Sequence, residues 1–317
     1  MKILIASSIH HETIEILRET HDVLCAFNAK EDVLKSIIKD REVLIFRSGV
    51  QITAEVMASA PDLKLILRAG SGIDNIDLDY VYKHDIKTVR IPKPGAKAVA
   101  EMSFAMMLAL SRHIREADRL TRDRHWAKHE MMGYLLTGKT LGIVGMGNIG
   151  ELTGERGVAW GMNVIGCVAC YTEDRAQELL KKNLHLTTFE EVLARSDYVS
   201  LHVPLKEDTR NLIDASAIAR MKPGAYLINL ARGHVVDEEA LHEALVSGHL
   251  AGAGIDVHAK EGEELDSPFV DLPNVILTPH IGASAYDTQH EIGDIVLDTI
   301  DNFLRDPHYL SETITMR

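Results

Sequence analysis

The stretch LGIVGMGNIG places Gly145, Gly147 and Gly150 in G-x-G-x-x-G spacing. An apolar run precedes the glycines and an amphipathic segment follows from Ile149, so they sit where a strand turns into a helix. Each has a mechanical use there. Gly145 permits the tight turn, Gly147 lets a pyrophosphate approach the backbone, and Gly150 lets helix and strand pack closely. Free N–H groups at the helix start then face the phosphate charge. Pattern and context together point to a dinucleotide site rather than a plain glycine-rich turn.

Two further strand ends offer reactive groups. In NLARGHVVDE, Arg232 closes an apolar run and precedes Gly233. At the carboxyl edge of a parallel sheet an arginine faces the crevice where such sheets bind ligands. Its planar fork suits a carboxylate and a carbonyl oxygen, a surface ion pair being the plainer alternative. In LTPHIGAS, His280 follows Pro279. Imidazole exchanges a proton near neutral pH, as interconverting a carbonyl and an alcohol requires. The chain has 16 histidines, so position 280 needs a partner to stand out, and DVHAKEGEE offers Glu261 upstream. A carboxylate there would favour the imidazolium; otherwise Glu261, Glu263 and Glu264 form a solvated acidic loop. His202, in LHVP, ends another strand beside the crevice, where cofactor contact is expected and catalysis is not.

In the first hundred residues, LRAGSGIDNID runs from a strand into a glycine-rich turn at Gly70 and Gly72. Backbone N–H groups in such turns can hold a carboxylate, although a plain turn accounts for the pattern equally well. Arg47 and Arg68 also end strands and add positive charge. Two patterns carry less. His125 and His129 have an i, i+4 spacing that can bind metal, but without a third ligand they are read as a solvated helix face, and no metal is expected. Cys167 and Cys170 form C-x-x-C away from the helix N-terminus where a redox pair belongs, and are read as bystanders.

The elements that must position these groups alternate along the chain. KILIAS, HDVLCAF, EVLIFRS, LKLILRAG and KTVRIP are short apolar runs separated by amphipathic stretches. That is the rhythm of strands buried on both faces of a parallel sheet flanked by helices. A second series, TLGIVGMG, NVIGCVA, YVSLHVP, AYLINLA, GAGIDV and NVILTPH, repeats it. Between them, residues 96–119 are apolar round much of their surface until Arg112 and predict one long helix that buries several sides in a domain or subunit contact. The expectation is two doubly wound, Rossmann/flavodoxin-like parallel-sheet domains with a cleft between them. Residues 1–95 with 286–317 form the first and residues 96–285 the second.

With 317 residues and 46% hydrophobic content, the composition is that of an ordinary globular protein. A net charge of −13 opposes a nucleic-acid partner, which needs a basic surface. A small anion remains possible through local arginines. The N-terminal apolar run is too short for a signal peptide, no run reaches a membrane span, and three cysteines make no disulfide framework. A cytoplasmic protein is expected.

Taken in order, the segments FRS (46–48), RAGSGIDNID (68–77), VAE (99–101), GKTLGIVGMGNIG (138–150), SDYVSLHVPL (196–205), MKPGAYLINLARG (221–233), VVDEEAL (235–241) and LPNVILTPHIGAS (272–284) resemble the D-isomer-specific 2-hydroxyacid dehydrogenases, most closely their phosphoglycerate-dehydrogenase-like branch. The likeness runs from about residue 40 to 285. It implies a catalytic triad in which Arg232 binds the substrate carboxylate and carbonyl oxygen, His280 exchanges the hydroxyl proton and Glu261 pairs with His280. It implies nicotinamide contact from Asp256, pyrophosphate contact from Asn148 and Ile149, and substrate contact from the backbone of Ser71 and Gly72, with Arg47 added to the substrate group. Cofactor contacts are also expected at Pro204, Leu230, Ala231, Arg232, His280 and Gly282. The substrate would be a small 2-hydroxy or 2-keto acid. The cofactor would be NAD, with NADP left open, and the assembly a homodimer through the cofactor domain.

The chain departs from the family pattern in places. Val168 stands where an Asp or Glu often receives the ribose hydroxyls, and the stretch from there to Asp197 is about three residues longer than usual. Glu173 or Asp174 could fold back to serve, and Arg175 is the nearest basic residue. Gly95, His234, His258 and Gly262 replace the family's usual residues near the expected cleft. Two alternatives stand beside the dehydrogenase reading: a nucleotide-sensing scaffold of corepressor type, and oxidation of a small inorganic or one-carbon anion.

Overall fold

Two sets of parallel strands, each covered by helices on both faces, account for nearly all the apolar runs. The computed structural model describes residues 1–262 and 266–306; Glu263, Glu264 and residues 307–317 lie outside the described residues. The chain divides into two units, Met1–Ala96 with Ser284–Arg317, and Lys97–Ala283.

The first unit contains β1 (Lys2–Ile5), α1 (His11–Thr20), β2 (Asp22–Cys25), α2 (Glu31–Ile37), β3 (Val43–Phe46), α3 (Ala54–Ala58), β4 (Leu65–Arg68), α4 (Leu78–Lys83) and β5 (Lys87–Arg90). The strands form an all-parallel sheet in the order β2-β1-β3-β4-β5. Every residue of β3 and β4 is buried, because one apolar cluster packs on each face of the sheet. Short helices start where side chains satisfy free amides: Thr53 caps α3 and Asp77 caps α4.

The second unit holds α5 (Lys93–Ser111), most of which belongs to it, α6 (Ile114–Arg122), β6 (Thr140–Val144), α7 (Asn148–Ala159), β7 (Asn163–Cys167), α8 (Glu173–Leu180), β8 (His185–Leu186), α9 (Phe189–Arg195), β9 (Tyr198–Leu201), α10 (Ala215–Arg220), β10 (Ala225–Asn229), α11 (Glu238–Val246), β11 (Leu250–Ile255) and β12 (Val275–Leu277). The chain then closes with α12 (Tyr286–Arg305), which packs on α1 of the first unit and buries Ile292, Val296, Ile300 and Phe303 in its core. The second sheet is parallel in the order β12-β11-β10-β9-β6-β7-β8. Strand order reverses between β6 and β9, the topological switch point at which such sheets bind ligands beyond their carboxyl ends.

Two sequence expectations need correction. The run 96–119 is not one helix: His113 takes a left-handed conformation at φ 52° and separates α5 from α6. There Tyr134 N–H donates to the Ser111 carbonyl at 2.8 Å, so the incoming segment takes an acceptor at the helix end. His125 and His129 do not lie on a helix either, since α6 ends at Arg122 and Arg124 turns the chain at φ 61°. His125 Nε2 instead meets Glu130 Oε1 at 3.2 Å. Among the described residues no helix is long and apolar enough to cross a membrane.

Candidate active site

Five neighbouring strands of the second unit deliver the candidate residues to one edge, because all run parallel and each candidate follows its strand's carboxyl end. After β6 comes the glycine turn. Gly145 has φ +98°, and a Cβ there would lie 2.7 Å from the His202 carbonyl oxygen, so the turn requires glycine. A Cβ at Gly150 would lie 2.2 Å from the Gly145 carbonyl oxygen, which is how closely α7 approaches the turn. A Cβ at Gly147 would meet nothing within 4 Å. Gly147 is the N-cap of α7, with no side chain to close the helix end, and Asn148 and Ile149 form its first turn. An open cradle at a helix N-terminus suits a pyrophosphate.

After β9, His202 Nε2 lies 2.9 Å from Ser200 Oγ, while Nδ1 is buried with no hydrogen-bond partner among the described residues. Burial pushes its pKa down to about 3, so the ring is neutral at any working pH. Pro204 follows, exposed, its carbonyl accepting from Thr209 Oγ1 at 2.6 Å.

After β10, Leu230 and Ala231 are buried and Arg232 is half-buried. The turn is shaped by Asn229, which is 1% exposed. Its Nδ2 donates to the Arg232 carbonyl and its Oδ1 accepts from Ala231 N–H, both at 3.0 Å. Arg232 Nη1 donates to the Ala231 carbonyl at 2.7 Å. Gly233 is pressed against the β11 end: a Cβ there would come within 2.0 Å of the His258 carbonyl oxygen.

After β11 and β12 come the two groups that meet directly. Glu261 Oε2 accepts from His280 Nδ1 at 2.8 Å, and Glu261 Oε1 accepts from His258 N–H at 3.2 Å. Burial opposes ionisation of Glu261, but the hydrogen bond and charge of His280, with the His258 N–H and charge, outweigh it, so the carboxyl is held below its ordinary value. Glu261 is therefore not merely part of a solvated loop. His280 itself sits at φ +54°, a costly conformation for a residue with a Cβ.

Asp256 holds it there. Asp256 is 1% exposed. Its Oδ1 accepts from Thr278 Oγ1 at 2.6 Å and from Ile281 N–H at 2.8 Å, and its Oδ2 accepts from Gly282 N–H at 2.8 Å. Its carbonyl accepts from His280 N–H at 2.7 Å. The Gly282 amide is thus engaged by the protein itself. A carboxylate has about four lone-pair sites, so one remains on Oδ2.

In the first unit, Arg47 and the 70–72 turn follow β3 and β4. Arg47 is half-buried, its guanidinium makes no hydrogen bond or ion pair among the described residues, and burial lowers its pKa. Ser71 Oγ donates to the Pro92 carbonyl at 3.3 Å. Arg68 is 4% exposed and lies over the Phe46 ring at 5.7 Å.

Residues 104–282 match the family model described as D-isomer specific 2-hydroxyacid dehydrogenase, NAD binding domain. The chain belongs to the D-isomer specific 2-hydroxyacid dehydrogenase family. It is 39% identical over 305 residues to the D-3-phosphoglycerate dehydrogenase of Methanocaldococcus jannaschii, covering 96% of this chain and 58% of that protein. The chain thus spans little more than half the length of that relative. The hydroxypyruvate reductase of Thermotoga maritima is 38% identical over 273 residues, covering 86% of this chain and 87% of that one. Among solved structures, the D-lactate dehydrogenase of Aquifex aeolicus complexed with NAD and lactic acid superposes with TM-score 0.86 at 29% identity, covering 98% of this chain and 97% of that one. The two parallel sheets are those of this dehydrogenase family.

Sequence reasoning missed Asn229 and Thr278, and it noted His258 without a role. His258 is 6% exposed, its Nε2 lies 3.1 Å from the Thr278 carbonyl, and its Nδ1 is buried with no partner among the described residues. Buried polar residues at strand ends were the available signal, since such groups require partners. The cysteines are free thiols; Cys167 is buried, and burial raises its pKa, while Cys170 is exposed.

Proposed function

We propose that the chain is an oxidoreductase that interconverts a small 2-hydroxy acid and its 2-keto form with NAD. The first unit would serve as substrate domain and the second as dinucleotide domain. The observation that carries the reading is the 2.8 Å contact between His280 Nδ1 and Glu261 Oε2 beside the Arg232 strand end, on the sheet edge that carries the glycine turn.

The turn fits a dinucleotide through the open space at Gly147, with the α7 amides near Asn148 and Ile149 receiving the pyrophosphate. The free lone pair of Asp256 and the neutral His202 suit the carboxamide end, with Pro204, Leu230, Ala231 and Gly282 lining the same edge. When bound, the nicotinamide gives or takes the hydride. Arg232 binds the substrate carboxylate and polarises its carbonyl oxygen. With Nδ1 on Glu261, His280 turns Nε2 to the substrate oxygen and gives or takes its proton. Glu261 holds the ring's orientation through the Nδ1 contact.

An anion-binding role is proposed for Arg47 with the Ser71 and Gly72 backbone, because an unpaired, partly desolvated guanidinium is costly until an anion meets it. A homodimer through the second unit is supported by Ile114, Trp126, Met132 and Leu135, which are 52, 81, 84 and 69% exposed; such apolar exposure marks an interface. Light scattering with W126D/M132D tests it: a wild-type dimer and a variant monomer are expected, and a wild-type monomer refutes it. Free thiols fit a reducing, cytoplasmic setting.

The reaction is tested with NADH and NADPH against glyoxylate, hydroxypyruvate, phosphohydroxypyruvate and longer 2-keto acids. Keto-acid-dependent oxidation of NADH that is lost in H280A supports the reading. No turnover with any acid, or full turnover in H280A, refutes it.

A further inference from the structure

In a doubly wound nucleotide domain, cofactor choice is made at the end of the second strand. An acid there receives ribose hydroxyls, or an arginine nearby takes a 2′-phosphate. Here that strand is β7. Its last residue, Cys167, accepts hydrogen bonds from the amides of Gly145 and Met146 at 3.1 and 3.0 Å, so the strand end and the glycine turn are tied together. Val168 packs against the core and offers no oxygen. Glu173 is engaged by Tyr171 Oη at 3.0 Å and Gln177 Nε2 at 2.9 Å.

Arg175 follows, and both terminal nitrogens of its guanidinium are engaged by protein. Nη1 bonds Glu178 Oε2 at 2.7 Å, and Nη2 bonds Glu151 and the Met146 carbonyl, the latter at 3.3 Å. Glu151 belongs to the first turn of α7. It is also held by Lys182, which reaches on to Glu155 at 2.7 Å. The Arg175 and Glu151 side chains are 28 and 16% exposed, so this contact is shielded more than an ordinary surface pair. Burial opposes the Glu151 charge, yet the bonds from Lys182 and Arg175 hold its carboxyl below the usual range.

We propose that the Glu151–Arg175–Glu178 clamp makes this chain select NAD over NADP: the arginine that follows the end of β7 is held by two carboxylates that would repel a 2′-phosphate. Selection is thus exclusion of the phosphate, not recognition of the ribose by an acid at position 168. It rests on the dinucleotide reading above. It also predicts that the selectivity can be released without touching Val168, by removing the acids.

The test is calorimetric binding of NAD⁺, NADP⁺ and 2′,5′-ADP at low ionic strength, where charge contacts are least screened. Wild type should bind NAD⁺ more tightly than NADP⁺. In E151Q/E178Q the preference for NADP⁺ relative to NAD⁺ should rise about tenfold, the worth of one added charge-assisted contact, with 2′,5′-ADP gaining in parallel. Adding R175Q should cancel the gain. E178Q alone, at an exposed carboxylate, should move the ratio in the same direction and serves if the double variant does not fold. NAD⁺ binding with an unchanged ratio in the variants overturns the clamp alone, as does a gain that survives R175Q or a wild type that binds both nucleotides equally. A wild type that binds neither nucleotide overturns the dinucleotide reading and the clamp with it.

Discussion

Asp256→Asn should destabilise the second unit by about 3 kcal/mol, although the side chain keeps its size. The carboxylate accepts three hydrogen bonds, two on Oδ1 from Thr278 and Ile281 and one on Oδ2 from Gly282. The amide keeps one oxygen, which can preserve the first two contacts without their charge assistance. Its nitrogen faces the Gly282 N–H, donor against donor. An orphaned buried donor costs about 1–3 kcal/mol, and two charged bonds reduced to neutral ones lose roughly 0.5–1 kcal/mol each. At about 2–4 °C per kcal/mol for a unit of this size, thermal unfolding should begin roughly 6–12 °C lower. Thr278→Val removes one contact and should cost about 1 kcal/mol. Because the same brace holds His280 at φ +54°, kcat/KM for 2-keto-acid reduction should fall in Asp256→Asn even at temperatures where it is folded. A melting temperature within about 2 °C of wild type, or an equal loss in Thr278→Val, would refute the brace.

His202, neutral with its pKa near 3 against an ordinary 6.5, favours the folded state fully above pH ~6.5. That contribution is lost as the pH falls towards about 3, because the unfolded chain binds the proton first. Its imidazole resonances should therefore not titrate between about pH 5 and 8 in NMR spectra, and a midpoint inside that window would contradict the burial. Gly233→Ala, with its Cβ driven to 2.0 Å from the His258 carbonyl oxygen, must push apart the strand ends carrying Arg232 and Glu261. A loss of about 3 kcal/mol or more in urea unfolding is expected, together with lost turnover, and wild-type behaviour in both would show that the contact relaxes freely.

The central strands such as β3 and β4 were readable because they are apolar runs buried on two faces, and the glycine turn because its spacing and flanks are local. β8 was not, being two residues long with no run to read. The break between α5 and α6 escaped because residues 96–119 hold no Gly or Pro to stop a helix; it depends on His113 geometry and on Tyr134 arriving from farther along the chain. Arg232, His280 and Glu261 were legible as types at strand ends, but their grouping required the sheet order. Asp256 shows the same limit. Family likeness pointed to a nicotinamide contact, whereas its bracing of residues 278–282 follows from the β11–β12 register, with Ile255 opposite Leu277 bringing Thr278 alongside. Asn229 and His258 matter through partners that no local pattern reveals.

The most direct test of the Arg232–Glu261–His280 account is kcat/KM for 2-keto-acid reduction in wild type and Glu261→Gln. Glu261 is held below its ordinary pKa, so it is charged across the working range and grips His280 through Nδ1 at 2.8 Å. Glutamine keeps the shape and loses the charge-assisted contact, so kcat/KM should fall about tenfold, roughly the worth of one such bond, while the melting temperature stays near that of wild type. An undiminished kcat/KM would contradict the pairing on which the proposed reaction depends.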